Sequence, residues 1–210
     1  GFEQKDIVFV CGYKKEVVAA RYPGLTYVEN VGWENNNILL SLLCAREHMS
    51  GGFVSTYADI VYRPEIAKAV RESRHSIALG CDTDWRRRYV RRTNHPESDA
   101  EKLSADGERV TRLSRHIPSE EAAGEFIGVM KVDAGAVPAF LAGFDAVKAE
   151  FAGKPFREGR TFEKAYLIDY LEHARAGGME LHRVDTPGGY MEIDTLQDRE
   201  FAAAWWRGES

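Results

Sequence analysis

The chain alternates predicted strands with predicted helices through its first 82 residues, and this alternation constrains the fold more than any other feature. DIVFVCGY (6–13) is an apolar, β-branched run that ends at a glycine, which is typical of a buried strand. KKEVVAARY (14–22) then predicts a short helix closed by Pro-Gly, and LTYVENV (25–31) predicts a second strand. Because strands joined by helices usually pair in parallel, this order predicts a parallel sheet with helices on both faces.

The remaining elements follow from the same patterns of apolar spacing and punctuation. In chain order they are a helix at 36–49, a strand at 51–62, a helix at 63–73, a strand at 76–82, a strand at 124–132, helices near 134–151 and 161–176, strands at 179–186 and 189–194, and a last helix. The polar residues 83–123 interrupt the alternation, and EKLSADGERVTRLS predicts an antiparallel hairpin that turns at Asp106-Gly107. We therefore predict one α/β domain over 1–210, with a mixed, mostly parallel, twisted sheet and a hairpin insertion at about 83–123.

Charge and cysteine usage narrow the class of protein. The formal net charge is −5, which argues against a general nucleic-acid binder, because such proteins usually carry a basic footprint. No apolar run reaches the length of a membrane span, so we expect no membrane association. Cys11, Cys44 and Cys81 lie far apart without CxxC spacing, which predicts reduced thiols in a cytoplasmic protein. The oligomeric state is not readable from the sequence.

Carboxylates at two predicted strand ends suggest a metal site. Glu192 and Asp194 are two residues apart in YMEID, and side chains at that spacing share one face of a strand. Asp59 lies near the end of the third predicted strand, in STYADIVY. Ligands of open α/β sheets bind beyond strand ends, so Asp59 and Asp194 together predict a seat for Mg²⁺. Two simpler interpretations stay open: Asp59 is a turn residue, or Asp194 caps the helix that begins near Thr195.

A basic run follows the fourth predicted strand. DWRRRYVRR (84–92) holds five arginines among aromatic residues, and Arg86 and Arg88 are candidates for binding phosphate oxygens. A solvated strand or loop is the alternative interpretation of the same run. Farther along, Lys102 is a candidate phosphate-binding point charge, whereas His95, directly before a proline, is more simply a loop residue.

Several aromatic residues lie in or beside predicted loops. Trp33, Trp85, Tyr89 and Tyr190 could enclose a cationic amine through cation–π attraction, and packing is the alternative. We include Trp33 and Tyr190 among the candidate substrate-binding residues, together with Tyr57 from STYADIVY.

Six segments, taken in order, carry a family resemblance. They are IVFVCGYKKE, WENNNILLSLLCARE, YADIVYRPEI, SDAEKL, GEFIGVMKV and YMEIDT. Together they resemble the nucleotidyltransferase family with a GT-A-like fold, also described as nucleotide-diphospho-sugar transferase-like. The resemblance is closest to cytidylyltransferases that act on phosphocholine and on small phosphonates such as 2-aminoethylphosphonate. The matches follow the family's order across nearly the whole chain.

The resemblance implies a reaction and a set of roles. The reaction is transfer of CMP from CTP to a small phosphate or phosphonate acceptor, with release of pyrophosphate. Asp59 and Asp194 match the family's metal aspartates, which implies Mg²⁺ as the cofactor. Lys102 matches a lysine on the substrate side, assisted by Arg86 to Arg88. Asn37 is implied at the mouth of the acceptor pocket, and Glu192 beside the metal or an acceptor amine.

One family signature does not occur in this sequence. The family opens with a strand and a G-x-G-x-R loop that wraps the triphosphate, a part of roughly 40 residues. We therefore expect the chain to be N-terminally incomplete, with the first strand of the sheet missing. Two alternatives remain: a sugar-1-phosphate nucleotidyltransferase, or a non-catalytic binding or regulatory module with the same fold. The identity of the acceptor stays open, and CTP is preferred to other nucleotides only because of the resemblance.

Overall fold

The fold is that of a computed structural model, which describes residues 2–159 and 161–208. The strands among these residues are β1 (Val8–Cys11), β2 (Thr26–Glu29), β3 (Gly52–Thr56), β4 (Ile60–Tyr62), β5 (Ile77–Asp82), β6 (Lys102–Asp106), β7 (Arg109–Leu113), β8 (Gly124–Asp133), β9 (His182–Thr186) and β10 (Tyr190–Glu192). The α-helices among them are α1 (Lys15–Arg21), α2 (Ile38–Cys44), α3 (Pro64–Glu72), α4 (Arg86–Tyr89), α5 (Val137–Phe151), α6 (Leu167–Ala176) and α7 (Leu196–Arg207).

The described residues form two compact units whose segments alternate along the chain. The first unit comprises the described residues up to Phe53 and those between Asp133 and Ala176. The second comprises Val54–Val132 and the described residues from Gly177 onward. The single domain expected from the sequence stays a prediction.

The first unit contains a short parallel sheet and a helical core. Strands β1 and β2 pair in parallel, with Val8 opposite Thr26, and α1 connects them as the strand–helix–strand pattern predicts. Helices α2, α5 and α6 pack together around large buried side chains. Within this core the rings of Phe140 and Tyr170 meet edge to face, with centroids 5.1 Å apart.

The second unit is built on a six-stranded sheet in the order β3-β8-β5-β9-β7-β6. All six residues of β5 are buried, because neighbouring strands flank it on both sides and α3 packs against it. Strand β6 also pairs with the start of β8, where Lys102 stands opposite Glu125. The predicted hairpin is present as β6 and β7, and its Gly107 has the positive φ of 57° that the Asp-Gly turn requires.

The sheet is mixed, as predicted, but the expectation that it is mostly parallel is wrong. In the second unit β5 pairs with β9 in parallel. The pairs β5–β8, β6–β7, β6–β8, β7–β9 and β4–β10 are antiparallel. The apolar run of a buried strand is the same in either orientation, so the sequence pattern could not distinguish them.

The predicted strand 51–62 is in fact two strands that belong to different sheets. Strand β3 ends at Thr56 in the six-stranded sheet, and β4 begins at Ile60 and pairs with β10 instead. The break between them carries Tyr57 and Asp59, both predicted site residues. Among the described residues no helix is both long enough and apolar enough to cross a membrane.

Candidate active site

The antiparallel pair of β4 and β10 brings the predicted metal aspartates together. Glu192 stands opposite Ile60, and the Ile193 N–H donates to the Asp59 carbonyl oxygen at 2.8 Å. Asp59 directly precedes β4, and Asp194 lies two residues beyond the end of β10. Because the strands run in opposite directions, these two positions meet at the same end of the pair.

Burial and the neighbouring acids together raise the pKa values of two carboxyl groups in this cluster. The pKa of Glu192 is raised to about 8, first by burial and then by the charges of Asp194, Glu125, Asp59 and Glu101. Asp59 as a whole residue is exposed, but its carboxyl group is partly shielded from solvent. This desolvation raises the pKa of Asp59, and the charge of Asp194 raises it further. Carboxylates that disfavour one another's ionisation form a region in which a cation is stabilised.

The donor set at this end of β10 suits a hard divalent cation. Carboxylate oxygens are the ligands that Mg²⁺ prefers, and Asp59, Glu192 and Asp194 offer them from two neighbouring strands. His95, Glu192 and Asp194 can also each offer one ligand atom within 4.8 Å of the others. However, His95 Nδ1 lies 2.6 Å from Arg92 Nη2 and accepts its hydrogen, which places the remaining ring hydrogen on Nε2. The carboxylates, and not the imidazole, therefore fit the metal.

The interpretation of Asp194 as a helix cap is wrong. Thr195 is the N-cap of α7, and its hydroxyl accepts a hydrogen bond from the Asp198 N–H at 3.2 Å. Asp198 completes a capping box, because its carboxylate accepts the Thr195 N–H at 2.9 Å. The side chain of Asp194 is thus not used for the cap.

The arginines of the basic run have different environments. Arg86 is exposed on α4 and remains a candidate for binding an anion. The Arg88 side chain is 9% exposed, and it pairs with Glu125 and, at 3.1 Å, with Asp82. Its guanidinium also lies 4.4 Å from the centre of the Tyr190 ring. Burial alone would lower the Arg88 pKa, but the surrounding acids raise it, so this arginine is firmly charged.

Lys102 begins β6 and is buried, with 3% of the residue exposed. Its Nζ lies 5.8 Å from the centre of the Trp85 ring, and its strand neighbour is Glu125. Its predicted contact with the acceptor stays a prediction.

The two candidate tyrosines are packed into the second unit. The Tyr57 hydroxyl donates to Glu101 Oε2 at 2.9 Å, and its ring packs edge to face on Phe126. Burial first, and then the Glu101 charge, raise the pKa of Tyr57 well above its usual value. Tyr190 is buried beneath Arg88. Their environment agrees with the packing interpretation, and their predicted role in substrate binding stays a prediction.

The other two candidates belong to the first unit. Asn37 is the N-cap of α2, where its side chain accepts from the Ile38 N–H at 2.8 Å and donates to the Lys164 carbonyl at 3.2 Å. Trp33 is 42% exposed and packs against Tyr13, with ring centroids 5.4 Å apart. Their predicted roles at an acceptor pocket stay predictions.

Three residues around Asp194 were not predicted from the sequence. Arg92, His95 and Asp198 are buried, and Arg92 Nε donates to Asp198 Oδ1 at 2.7 Å. The one signal in the sequence was the Thr195-x-x-Asp198 spacing of a capping box. The partnership of residues 92 and 198 could not be read from the sequence, because it depends on tertiary structure.

Comparisons with known proteins bear on the fold and on the family resemblance. No protein-family model matches the chain. The CTP:phosphoglutamine cytidylyltransferase of Campylobacter jejuni is 21% identical over 205 residues, which cover 93% of this chain and 79% of the relative. The inositol-1-phosphate CTP transferase from T. maritima superposes with a TM-score of 0.68 at 19% identity, over 96% of this chain and 75% of that chain.

A second solved structure gives the same result. The CTP:phosphocholine cytidylyltransferase of Streptococcus pneumoniae superposes with a TM-score of 0.66 at 18% identity, over 96% of this chain and 78% of that chain. The two superpositions show the fold. With the sequence relative, they confirm the predicted mixed α/β, nucleotide-diphospho-sugar transferase-like fold and the predicted resemblance, and the names of all three proteins include CTP and transferase activity.

Proposed function

We propose, on the premise that this chain is a nucleotidyltransferase by fold and by its similarity to cytidylyltransferases, that it transfers CMP from CTP to a small phosphate or phosphonate acceptor. An oxygen of the acceptor attacks the α-phosphorus of CTP. The bond from that phosphorus to the oxygen that bridges to the β-phosphate breaks, and pyrophosphate leaves with the bonding electrons. Such a reaction needs little covalent chemistry from the protein and depends on positioning and charge neutralisation.

The observation that carries the proposal is the meeting of Asp59, Glu192 and Asp194 at one end of the β4–β10 pair. Asp59 and Asp194 would hold Mg²⁺, which when bound neutralises phosphate charge and orients the reacting groups. Glu192 is the third acid of the group and is available to a cationic part of the acceptor. Lys102, with Arg86 and Arg88 nearby in sequence, would neutralise the acceptor's anionic head.

The acceptor class follows from the relatives' names, which include phosphoglutamine, phosphocholine and inositol-1-phosphate. A molecule of this size with one phosphate or phosphonate group is the proposed acceptor, and 2-aminoethylphosphonate belongs to the same class. We place the activity in the cytoplasm, which is supported by the three free thiols of Cys11, Cys44 and Cys81.

The test is transfer of label from [α-³²P]CTP, measured with the protein at its full natural length and with Mg²⁺. The acceptors are phosphocholine, 2-aminoethylphosphonate, phosphoglutamine, inositol-1-phosphate and a hexose-1-phosphate. One of the small acceptors should give a labelled product together with pyrophosphate. Product formed only from the hexose phosphate would favour a sugar-1-phosphate nucleotidyltransferase, and no product with any acceptor would favour a non-catalytic module.

The metal assignment has its own test. We expect Asp59→Asn and Asp194→Asn each to lower kcat/KM by at least about 10³-fold, because a lost metal ligand removes several kcal/mol of transition-state stabilisation. Asp106→Asn is the matched control, since Asp106 is exposed at the hairpin turn and Asn-Gly is equally suited to that turn. Wild-type rates in both site variants would refute the assignment.

A further inference from the structure

A buried ion pair joins two distant parts of the second unit behind the carboxylates. The side chains of Arg92 and Asp198 are 2% and 1% exposed, and Arg92 Nε donates to Asp198 Oδ1 at 2.7 Å. A buried ion pair is weak evidence for stability, because desolvation offsets much of its attraction. Its position next to Asp194 therefore needs another explanation.

Asp198 fixes the backbone that carries Asp194. While its Oδ1 accepts from Arg92, its Oδ2 accepts the Asp194 N–H at 3.3 Å and the Thr195 N–H at 2.9 Å. The Thr195 hydroxyl also donates to the same oxygen at 2.8 Å. One carboxylate thus ties together the start of α7, the residue before it, and the segment of Arg92.

Arg92 extends this arrangement to the side chains of the acids. Its Nη2 donates to His95 Nδ1 at 2.6 Å and lies 3.4 Å from the Glu192 carbonyl oxygen. The His95 ring, 5% exposed, has Nδ1 3.0 Å from Asp194 Oδ2 and Nε2 3.6 Å from Glu192 Oε2. The edge of the Tyr89 ring restrains it further, with centroids 5.8 Å apart. The His95 imidazole and the Arg92 guanidinium thus lie directly next to Glu192 and Asp194.

We propose that Arg92, His95 and Asp198 are positioning residues that hold Glu192 and Asp194 in a geometry fit for the metal. The inference rests on the proposed function. Three carboxylates close together repel one another, so without restraint Asp194 would turn outward to solvent. The Asp198–Arg92–His95 arrangement prevents this by fixing the backbone on one side and placing the positive charge of Arg92 and the His95 ring next to the acids on the other.

The test measures direct binding of Mn²⁺ to the whole protein without substrate. The electron paramagnetic resonance signal of the free ion reports how much Mn²⁺ remains unbound. Arg92→Lys keeps the charge but cannot bridge Asp198 and His95, because a single ammonium lacks the planar fork. Asp198→Asn keeps the shape but places an amide where Arg92 needs a carboxylate. We expect each to weaken Mn²⁺ binding at least tenfold and to raise the Mg²⁺ concentration for half-maximal rate equally, with kcat at saturating metal less affected.

The controls repeat the chemical changes at exposed positions. Arg199 is exposed beside Asp198 on α7, and Asp106 is exposed at the hairpin turn. The variants Arg199→Lys and Asp106→Asn should both bind Mn²⁺ like the wild type. Wild-type Mn²⁺ affinity in folded Arg92→Lys and Asp198→Asn would overturn the inference. By contrast, if Asp59→Asn and Asp194→Asn bind Mn²⁺ as well as the wild type does, the proposed metal site itself fails.

A second pair of variants decides the matter if the ion pair proves essential for folding. His95→Asn keeps a polar group near the position of Nδ1, whereas His95→Leu removes every polar contact of the ring. We expect the asparagine variant to bind Mn²⁺ more tightly than the leucine variant by about tenfold. Equal affinities for Mn²⁺ in these two variants would overturn the positioning role.

Discussion

At the scale of single residues, Lys102 gives the sharpest prediction about the acceptor. Lys102→Met keeps the apolar stem against Trp85 and removes the charge. We expect kcat/KM for the acceptor to fall about 10- to 100-fold, because a hydrogen bond to a charged group contributes about 1.5–3 kcal/mol. Steady-state kinetics well below the melting temperature measures this, with Lys68→Met, at an exposed position of α3, as the control. Unchanged kinetics would mean that Lys102 does not contact the acceptor.

The sequence located the acids of the candidate site but not what holds them. Asp59, Glu192 and Asp194 were predictable because strand-end positions can be read from local patterns. His95 was interpreted as a loop residue. It does lie in a loop, but only 4% of its surface is exposed. Its burial comes from tertiary partners such as Arg92, which no local pattern encodes.

At the scale of elements, predictions succeeded where residues close in the sequence determine the structure, and failed where the pairing of distant strands determines it. The hairpin at 102–113 was predictable because Asp-Gly specifies its turn. The split of 51–62 into β3 and β4 was not, since β-branched residues occur on both sides of the break and the two halves differ in their partner strands. Strand orientation was missed for the same reason.

Strand β8 offers a prediction that belongs to this scale. Between the pairs at Leu79 and Cys81 the register with β5 shifts, and Gly128 at this irregularity has φ of 73°. A Cβ at Gly128 would lie 2.4 Å from the Tyr57 ring. We expect Gly128→Ala to lower the free energy of unfolding by at least about 1–2 kcal/mol, since a non-glycine residue at this φ is strained before any clash is counted.

Urea denaturation measures that difference, and Gly135→Ala is its control, because a Cβ there meets nothing within 4 Å. If both alanine variants are equally stable, the bulge accommodates a side chain and the argument from φ is wrong. Activity is a further readout for Gly128→Ala, since the displaced ring is that of Tyr57, which bonds Glu101.

At the scale of the whole molecule, the two compact units could not be foreseen from composition. The chain passes from one unit to the other at Phe53–Val54, Val132–Asp133 and Ala176–Gly177; the first two positions lie within β3 and β8, and the third is at the end of α6. Domain boundaries are usually sought in polar, Gly- or Pro-rich linkers, whereas the first two crossings occur in apolar strands. A search for linkers therefore predicts one uninterrupted domain.

The stability of the metal-free protein should depend on pH through Glu192. Its pKa is about 8 in the folded protein, above the ordinary value of 4.5, so the folded state binds the proton more tightly than the unfolded state. The resulting stabilisation is fully present below pH 4.5 and is lost as the pH rises to 8. The loss is at most about 1.4 kcal/mol per pH unit.

The measurement is urea denaturation from pH 5 to 8 in EDTA, for the wild type and for Glu192→Gln. We expect the stability of the wild type relative to the variant to fall across this range. Mg²⁺ should reduce the fall, because a cation that binds only the folded state adds about 2.7 kcal/mol at a hundredfold excess over Kd. Mg²⁺ should reduce the fall less in Asp59→Asn than in the wild type.

Two outcomes would contradict these expectations. A stability difference between wild type and Glu192→Gln that does not change with pH in EDTA would show that Glu192 is not held among repelling acids. The same profile in Mg²⁺ and EDTA would show that no cation binds there.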